Sequence, residues 1–246
     1  MPIPLTTFFR NESIAKNNKC TTLLKGTLLY DYASSNITWS TTAGTFTSSS
    51  ITQNESWTYF IPRSITMNTT TQLTRSSNFG TSKNFTVMFR FYVSSLSAPG
   101  STGTTVVVNG TPGGPSPPNP VSFFWVIYMF GASSTTQKFQ LMWRSGGASQ
   151  TAFVIGPGTN IQSGQWYHVA LKVVDNGSNN SFFGYVNGIQ TGSSPNQVYI
   201  DPPVGPTRLG NLGFGQAQAY ELAEFVFLEK ALSDDEIKGY ASSPYI

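Results

Sequence analysis

The chain is 246 residues long, a length that suits one large β domain or two small ones. Only 10% of its residues are charged, well under the ~25% of ordinary soluble chains, and 30 Ser, 29 Thr and 17 Asn supply the polar surface instead. Its net charge of +3 comes from 14 basic residues scattered from Arg10 to Lys238, which excludes the clustered cations a nucleic-acid groove requires, and the single cysteine, Cys20, excludes a disulfide framework or a Cys-cluster metal site.

Residues 1–26 read as an arm or a loosely docked strand, with Pro2, Pro4 and the polar stretch Asn17-Asn18-Lys19-Cys20. The start has no basic segment followed by an apolar stretch of signal-peptide length. The longest apolar run, Val121 to Phe130, is interrupted by Ser122 and is far short of the ~20 residues of a membrane span. The expectation is a protein made in the cytosol, staying there or delivered to a virion or other surface assembly, with no membrane insertion and no nucleic-acid partner.

From residue 27 onward, short apolar or alternating stretches recur between turn signals. Thr86 to Val93 alternates, with Val87, Phe89, Phe91 and Val93 on one face and Met88, Arg90 and Tyr92 on the other. Ser97 to Pro120 carries six prolines and reads as a loop over one sheet edge, with room for a small hairpin at Val106–Gly110. Ser122 to Phe130 is apolar on both faces, as in a strand covered on both sides. Lys138 to Arg144 sets Phe139, Leu141 and Trp143 against Lys138, Gln140, Met142 and Arg144.

The next predicted strand is Trp166 to Val174, rich in β-branched and aromatic residues and ended by Asp175-Asn176-Gly177. Ser181 to Val186 follows, closed by Asn187-Gly188, the residue pair of a type I′ hairpin turn. Pro195 to Gly215 reads as a second loop. The last strand is Ala223 to Leu228. Ser233-Asp234-Asp235-Glu236 then has capping-box spacing and predicts one short helix over 234–240. The pattern is all-β, a single domain over 27–246 after the N-terminal arm.

Gly164-Gln165-Trp166-Tyr167-His168-Val169-Ala170, followed by Gly184-Tyr185-Val186-Asn187-Gly188, resembles the core motif of laminin-G-like domains in the concanavalin A-like lectin/glucanase superfamily. Arg208-Leu209-Gly210, Glu221 to Phe227, and Lys230 to Ile237 resemble that family's final strand and closing helix. The resemblance runs in order from about Phe85 to Tyr240, and residues 1–84 add little to it. It implies an antiparallel two-sheet jelly-roll sandwich with one short C-terminal helix. The superfamily contains lectins, adhesion modules, glycosidases and structural proteins, so the fold alone selects no function.

A glycosidase needs two carboxyls ~5–10 Å apart across the scissile bond. The family's closely spaced catalytic acids are missing here. Glu221 and Glu224 fall on opposite faces of a regular strand, Glu221 and Glu229 stand ~26 Å apart along one, and only a distant acid such as Asp201 could complete a pair. His168, the only histidine, reads as a hydrogen-bonded, partly buried structural residue, and Cys20 as an ordinary free thiol. Calcium has one candidate turn, with Asp175, Asn176 and Asn179 as oxygen ligands, in line with the rim sites of related domains.

What remains is binding. Sugars are held by aromatic faces and a few amides or cations, and Arg90, Tyr92, Tyr128, Trp143 and Arg144 are the candidates on mid-domain strands. The favoured expectation is a non-catalytic lectin-like module that binds glycans or a protein partner, plausible on a virion or other surface assembly. The alternative is a structural subunit of a capsid, fibre or surface layer whose partners are neighbouring subunits. A glycoside hydrolase is the minor reading.

Overall fold

The computed structural model describes residues 20–24, 40–43, 47–49, 64–67, 72–75, 83–96, 103–109, 125–131, 135–145, 148–149, 153–156, 158–198, 200, 207–210 and 218–242. The strands in chain order are β1 (Cys20–Leu24), β2 (Ser40–Ala43), β3 (Thr47–Ser49), β4 (Ser64–Met67), β5 (Gln72–Arg75), β6 (Phe85–Tyr92), β7 (Thr104–Asn109) and β8 (Trp125–Phe130). They continue with β9 (Lys138–Ser145), β10 (Ala148–Ser149), β11 (Phe153–Val154), β12 (Trp166–Asp175), β13 (Asn180–Val186), β14 (Ile189–Gln197), β15 (Thr207–Gly210) and β16 (Tyr220–Leu228), and helix α1 (Asp234–Ser242) closes the chain.

The strands form two sheets in which every pairing is antiparallel. The first runs β14-β13-β12-β6-β16-β4-β3, with β1 alongside β16; the second runs β10-β9-β8-β7-β15-β5-β2, with β11 alongside β9. This is the jelly-roll sandwich that the strand pattern and the resemblance imply. Strands distant in sequence lie next to each other because each sheet draws from both halves of the chain. The pairing of β6 with β16, for example, sets Phe91 opposite Leu222.

The core sits between the sheets. From the first sheet come Val87, Phe89 and Phe91 of β6, Tyr167, Val169, Leu171 and Val173 of β12, and Phe182 of β13. From the second come Val107, Ile127, Met129, Phe139, Leu141, Trp143 and Leu209. The period-two pattern therefore assigns the inner face correctly on β6 and β9, whereas β8, expected to be covered on both sides, buries Ile127 and Met129 and leaves Tyr128 and Phe130 half-buried. Aromatic rings lock the layers together. Phe91 stacks on Tyr220 at 4.9 Å and meets Phe139 edge-on at 5.0 Å, and Trp143 of the second sheet meets Phe182 of the first edge-on at 4.6 Å. Each such pair adds ~0.5–1.5 kcal/mol to the area it buries.

Two segments differ from the expectation. Residues 104–109 are not a small hairpin inside a loop: β7 is an interior strand, flanked by β8 and β15. Its three consecutive valines fit both faces because a bulge between Thr105 and Val107 shifts the alternation. Likewise the predicted loop 195–215 contains the end of β14 and the whole of β15. Within the segment read as an arm or a loosely docked strand, β1 pairs with the C-terminal half of β16.

The hairpin signal holds in detail. Asn187 and Gly188 have φ of 52° and 77°, the left-handed pair a type I′ turn needs. Among the described residues no helix is long and apolar enough to cross a membrane.

Candidate functional site

A sandwich has two outer faces, and here they are not equivalent. On the first sheet, β12, β6 and β16 align outward residues in rows: Trp166–Tyr92–Glu221, His168–Arg90–Ala223, Ala170–Met88–Val226 and Lys172–Thr86–Leu228. Helix α1 covers the middle of this face. Its Ile237 and Tyr240, with Leu232 ahead of it, pack on Met88, Ala170, Tyr185, Val226 and Leu228.

Polar contacts fasten the helix at both ends. Ser233 and Glu236 form the predicted capping box: Glu236 N–H donates to Ser233 Oγ at 3.2 Å, and Ser233 N–H to Glu236 Oε2 at 2.7 Å. Asp234 accepts from both Lys172 Nζ and the Tyr185 hydroxyl, each at 2.6 Å, and these bonds, the lysine's first, hold its carboxyl below the usual range. Thr86 ties down the preceding segment by donating to the Lys230 carbonyl and accepting from Leu232 N–H.

Arg90 belongs to this anchorage. It is wholly buried, and its Nη2 donates to the Tyr240 and Ala241 carbonyls at 3.2 and 3.4 Å, where a cation meets the negative end of the helix. Its place on a polar-facing strand position suggested a ligand contact; the helix above that position takes the guanidinium instead. Tyr92 stays half-buried at the margin of the same face, stacked at 5.3 Å on Trp166.

Opposite Arg90 in register lies His168. It is structural as expected, but it is fully rather than partly buried, and among the described residues neither ring nitrogen has a hydrogen-bond partner. Burial, and after it the charge of Arg90, hold the imidazole well below its ordinary pKa, so it is neutral at pH 7. Nothing in this geometry activates a nucleophile.

Among the described residues, no helix packs on the outer face of the second sheet. Half-buried Tyr128 and Phe130 project from β8, and their rings meet edge-on at 6.1 Å. Beside them on β9 lie half-buried Lys138, Gln140 and Met142, and the Tyr128 hydroxyl donates to Gln140 Oε1 at 2.9 Å. Burial raises the Tyr128 phenol above its usual pKa, so it remains a donor at any physiological pH. Arg208, between buried Thr207 and Leu209 on β15, is a second half-buried cation of this face, and burial lowers its pKa.

The five expected ligand residues therefore do not converge. Arg90 and Tyr92 belong to the helix-bearing face. Trp143 lies in the core, 2% exposed, with its indole N–H donating to the Val198 carbonyl at 3.3 Å. Tyr128 and Arg144 lie on strands of the second sheet; for Arg144 only the backbone is described. Phe130, Lys138, Gln140 and Arg208 are the residues that sequence reasoning left out. Alternation on β9 had already set Lys138 and Gln140 opposite the core. Arg208 carried no such signal, because its strand read as loop.

The 175–180 turn fits a cation poorly. Asp175 Oδ1 accepts from Gly177 N–H, Asn179 Oδ1 accepts from the Asn176 amide, and that same amide donates to Ser181 Oγ. Calcium takes six to eight oxygens, and this turn offers one carboxylate already holding its own backbone. Among the described residues there is no group of three or more His, Cys, Asp or Glu suited to a metal.

Strict alternation would set Glu221 and Glu224 on opposite faces of β16, but the strand is not regular. A bulge between Ala223 and Val226 resets the alternation, so core positions change from Tyr220 and Leu222 to Phe225 and Phe227. The Glu224 side chain and Asp201 lie outside the described residues.

Comparison with known proteins agrees with this architecture. Domain 4 of AbnA, a GH43 extracellular arabinanase from Geobacillus stearothermophilus solved with arabinotriose, superimposes with a TM-score of 0.66 at 17% identity, over 91% of this chain and 98% of that one. The binding domain of Paraclostridial Mosquitocidal Protein 1 gives 0.64 at 15%, over 92% of this chain and 52% of that one. A structure of botulinum neurotoxin type C, whose cell entry depends on two ganglioside molecules, gives 0.61 at 14%, over 95% and 53%. The chain thus spans about half the length of the toxin structures. No curated protein matches it in sequence. The family model Laminin_G_3 matches residues 66–238, and the chain belongs to the concanavalin A-like lectin/glucanases superfamily.

Proposed function

We propose that the chain is a non-catalytic glycan-recognition module that binds saccharide on the outer face of its second sheet. The observation carrying this reading is the asymmetry of the sandwich. One outer face is covered by α1, whereas the other presents half-buried Tyr128 and Phe130 beside Gln140, Lys138 and Arg208. An aromatic ring offers a surface to sugar C–H groups, and the amide and cation supply hydrogen bonds. A hydrolase would need two carboxyls on such a face, and the strands of this sheet contain no Asp or Glu. Neighbours of this fold include a domain solved with arabinotriose and toxin structures tied to gangliosides, which supports glycan as the ligand class.

A glycan array probed with the purified chain, in calcium and again in chelator, tests the proposal. Binding to a related set of glycans is expected, and chelator is expected to leave it unchanged. Loss of binding with Tyr128→Ala at an unchanged unfolding midpoint would place the ligand on this face. A blank array from folded protein would overturn the reading.

The second reading is a structural subunit of a virion or surface assembly, with neighbouring protein subunits as partners. Edge strand β14 favours it: none of its nine residues is charged, and Ile189 and Val198, one at its start and one just past its end, are 69% and 48% exposed. Edges left without charge are open to pairing. Light scattering across a concentration series decides it, since a persistent monomer removes this reading.

A further inference from the structure

The two sheets divide the charged residues unequally. Arg75, Lys138, Arg144 and Arg208 lie on strands of the second sheet, and not one of the eleven acidic residues does. Those acids that fall on strands, Asp175, Glu221 and Glu224, are all in the first sheet, and Asp234, Asp235 and Glu236 open the helix that covers it. A net charge of +3 therefore conceals one sheet that is wholly basic.

Arg208 is the residue that gives this pattern a chemical direction. In register it lies between Thr74 on β5 and Val108 on β7. Val108 is completely buried although it faces away from the core, and Arg208 Nε beside it is also buried, with no hydrogen-bond partner among the described residues. A buried donor left unpaired is a standing cost, larger when the group is charged. The guanidinium presents its donors in a planar fork that matches a carboxylate. Arg208 as a whole is only half-buried, so an acceptor arriving from solution would pair the charge at the accessible part of that fork.

Distance suits a small saccharide. Two strand spacings and one same-face step along β8 separate Arg208 from Tyr128, which puts their Cα atoms ~12 Å apart. A disaccharide spans that gap, with one ring against Tyr128 and Phe130 and its neighbour at the cation.

We infer that the outer face of the second sheet takes an acidic saccharide, with Arg208 receiving the carboxylate of a uronic-acid or sialic-acid type sugar and Tyr128 with Gln140 contacting the ring beside it. Lys138, on the next row of the same face, adds to the field that attracts it. The inference rests on the glycan-binding reading and narrows it to one charge class.

Calorimetric titration of the full chain with sialyllactose and trigalacturonate, against neutral lactose and arabinotriose, tests it at low and at high salt. The acidic members are expected to bind about tenfold more tightly, and the preference should shrink as salt screens it. Arg208→Gln should abolish the preference, so that acidic and neutral members bind alike, Arg208→Lys should keep part of it, and Lys138→Gln should weaken it about two- to threefold at an unchanged unfolding midpoint. Equal affinity for acidic and neutral members, or an undiminished preference in Arg208→Gln, would overturn this inference and leave the glycan reading standing. No binding to any of the four, together with a blank array, would overturn both. Should Arg208→Gln fail to fold, the Arg208→Lys and Lys138→Gln titrations decide: a full preference in both overturns the inference, and a reduced preference in both supports it.

Discussion

His168 is a small apolar disc as far as the fold is concerned, since neither ring nitrogen has a partner among the described residues and Arg90 stands opposite. That has a consequence for stability with a definite sign. The folded pKa lies well below 6.5, so the native state stays unprotonated where the unfolded chain takes up a proton. Stability is full above about pH 6.5 and falls as pH drops below it, by at most ~1.4 kcal/mol per pH unit for this single site. Urea unfolding between about pH 7.5 and 5 is expected to show this slope, and His168→Leu to flatten it. A slope unchanged in the variant would assign the effect to other groups. Gly184 marks a different kind of constraint: a Cβ there would run into the Ile155 carbonyl. Gly184→Ala is expected to cost about 1–3 kcal/mol, the ordinary range for an added methyl in a packed site, measurable as a lowered urea midpoint.

Among the elements, α1 shows how a short helix holds its place. Nine residues form a marginal helix alone. Here the capping box starts it, the Lys172–Asp234–Tyr185 contact fixes its first turn, and Arg90 meets its last carbonyls. Ser233→Ala should cost about 1 kcal/mol through the lost cap. Asp234→Asn should cost less than a buried pair would, because that carboxylate is 62% exposed and solvent screens it. Hydrogen exchange of the helix amides separates the two variants: in Ser233→Ala the first-turn amides should exchange faster while the β6 amides are unchanged. Faster exchange throughout would mean that the helix and sheet unfold as one unit. The β13–β14 hairpin adds to the same anchorage, since a Cβ on Gly188 would come within 2.9 Å of Ala241 Cβ and 3.2 Å of Lys238 Cα.

At the scale of the molecule, the sandwich is two-faced in both cover and charge. The first sheet carries the described helix and its acids, and the strands of the second carry aromatic, amide and basic groups and contain no Asp or Glu. Among the described residues a glycan on that face would meet donors but no acid or base pair, so the proposed module should bind saccharide without releasing reducing ends. An assay of reducing sugar on any array hit is expected to stay at background, and turnover abolished by Glu221→Gln would overturn the non-catalytic reading.

Much of this was legible in the chain itself. Alternation fixed the inner faces of β6 and β9, Asn187-Gly188 fixed a hairpin, and Ser233 with Glu236 fixed the start of a helix, because each depends on residues a few positions apart. Bulges at Thr105–Val107 and Ala223–Val226 escaped it, since an extra residue in one strand is defined only against its partner. So did the fate of Arg90. Its strand position faced away from the core, and only the folding back of α1, 150 residues later, turned that position into an interior one. Local chemistry set the strands, turns and cap; which outer face received the C-terminal helix, and which charges each sheet gathered, was decided by contacts between segments far apart in sequence.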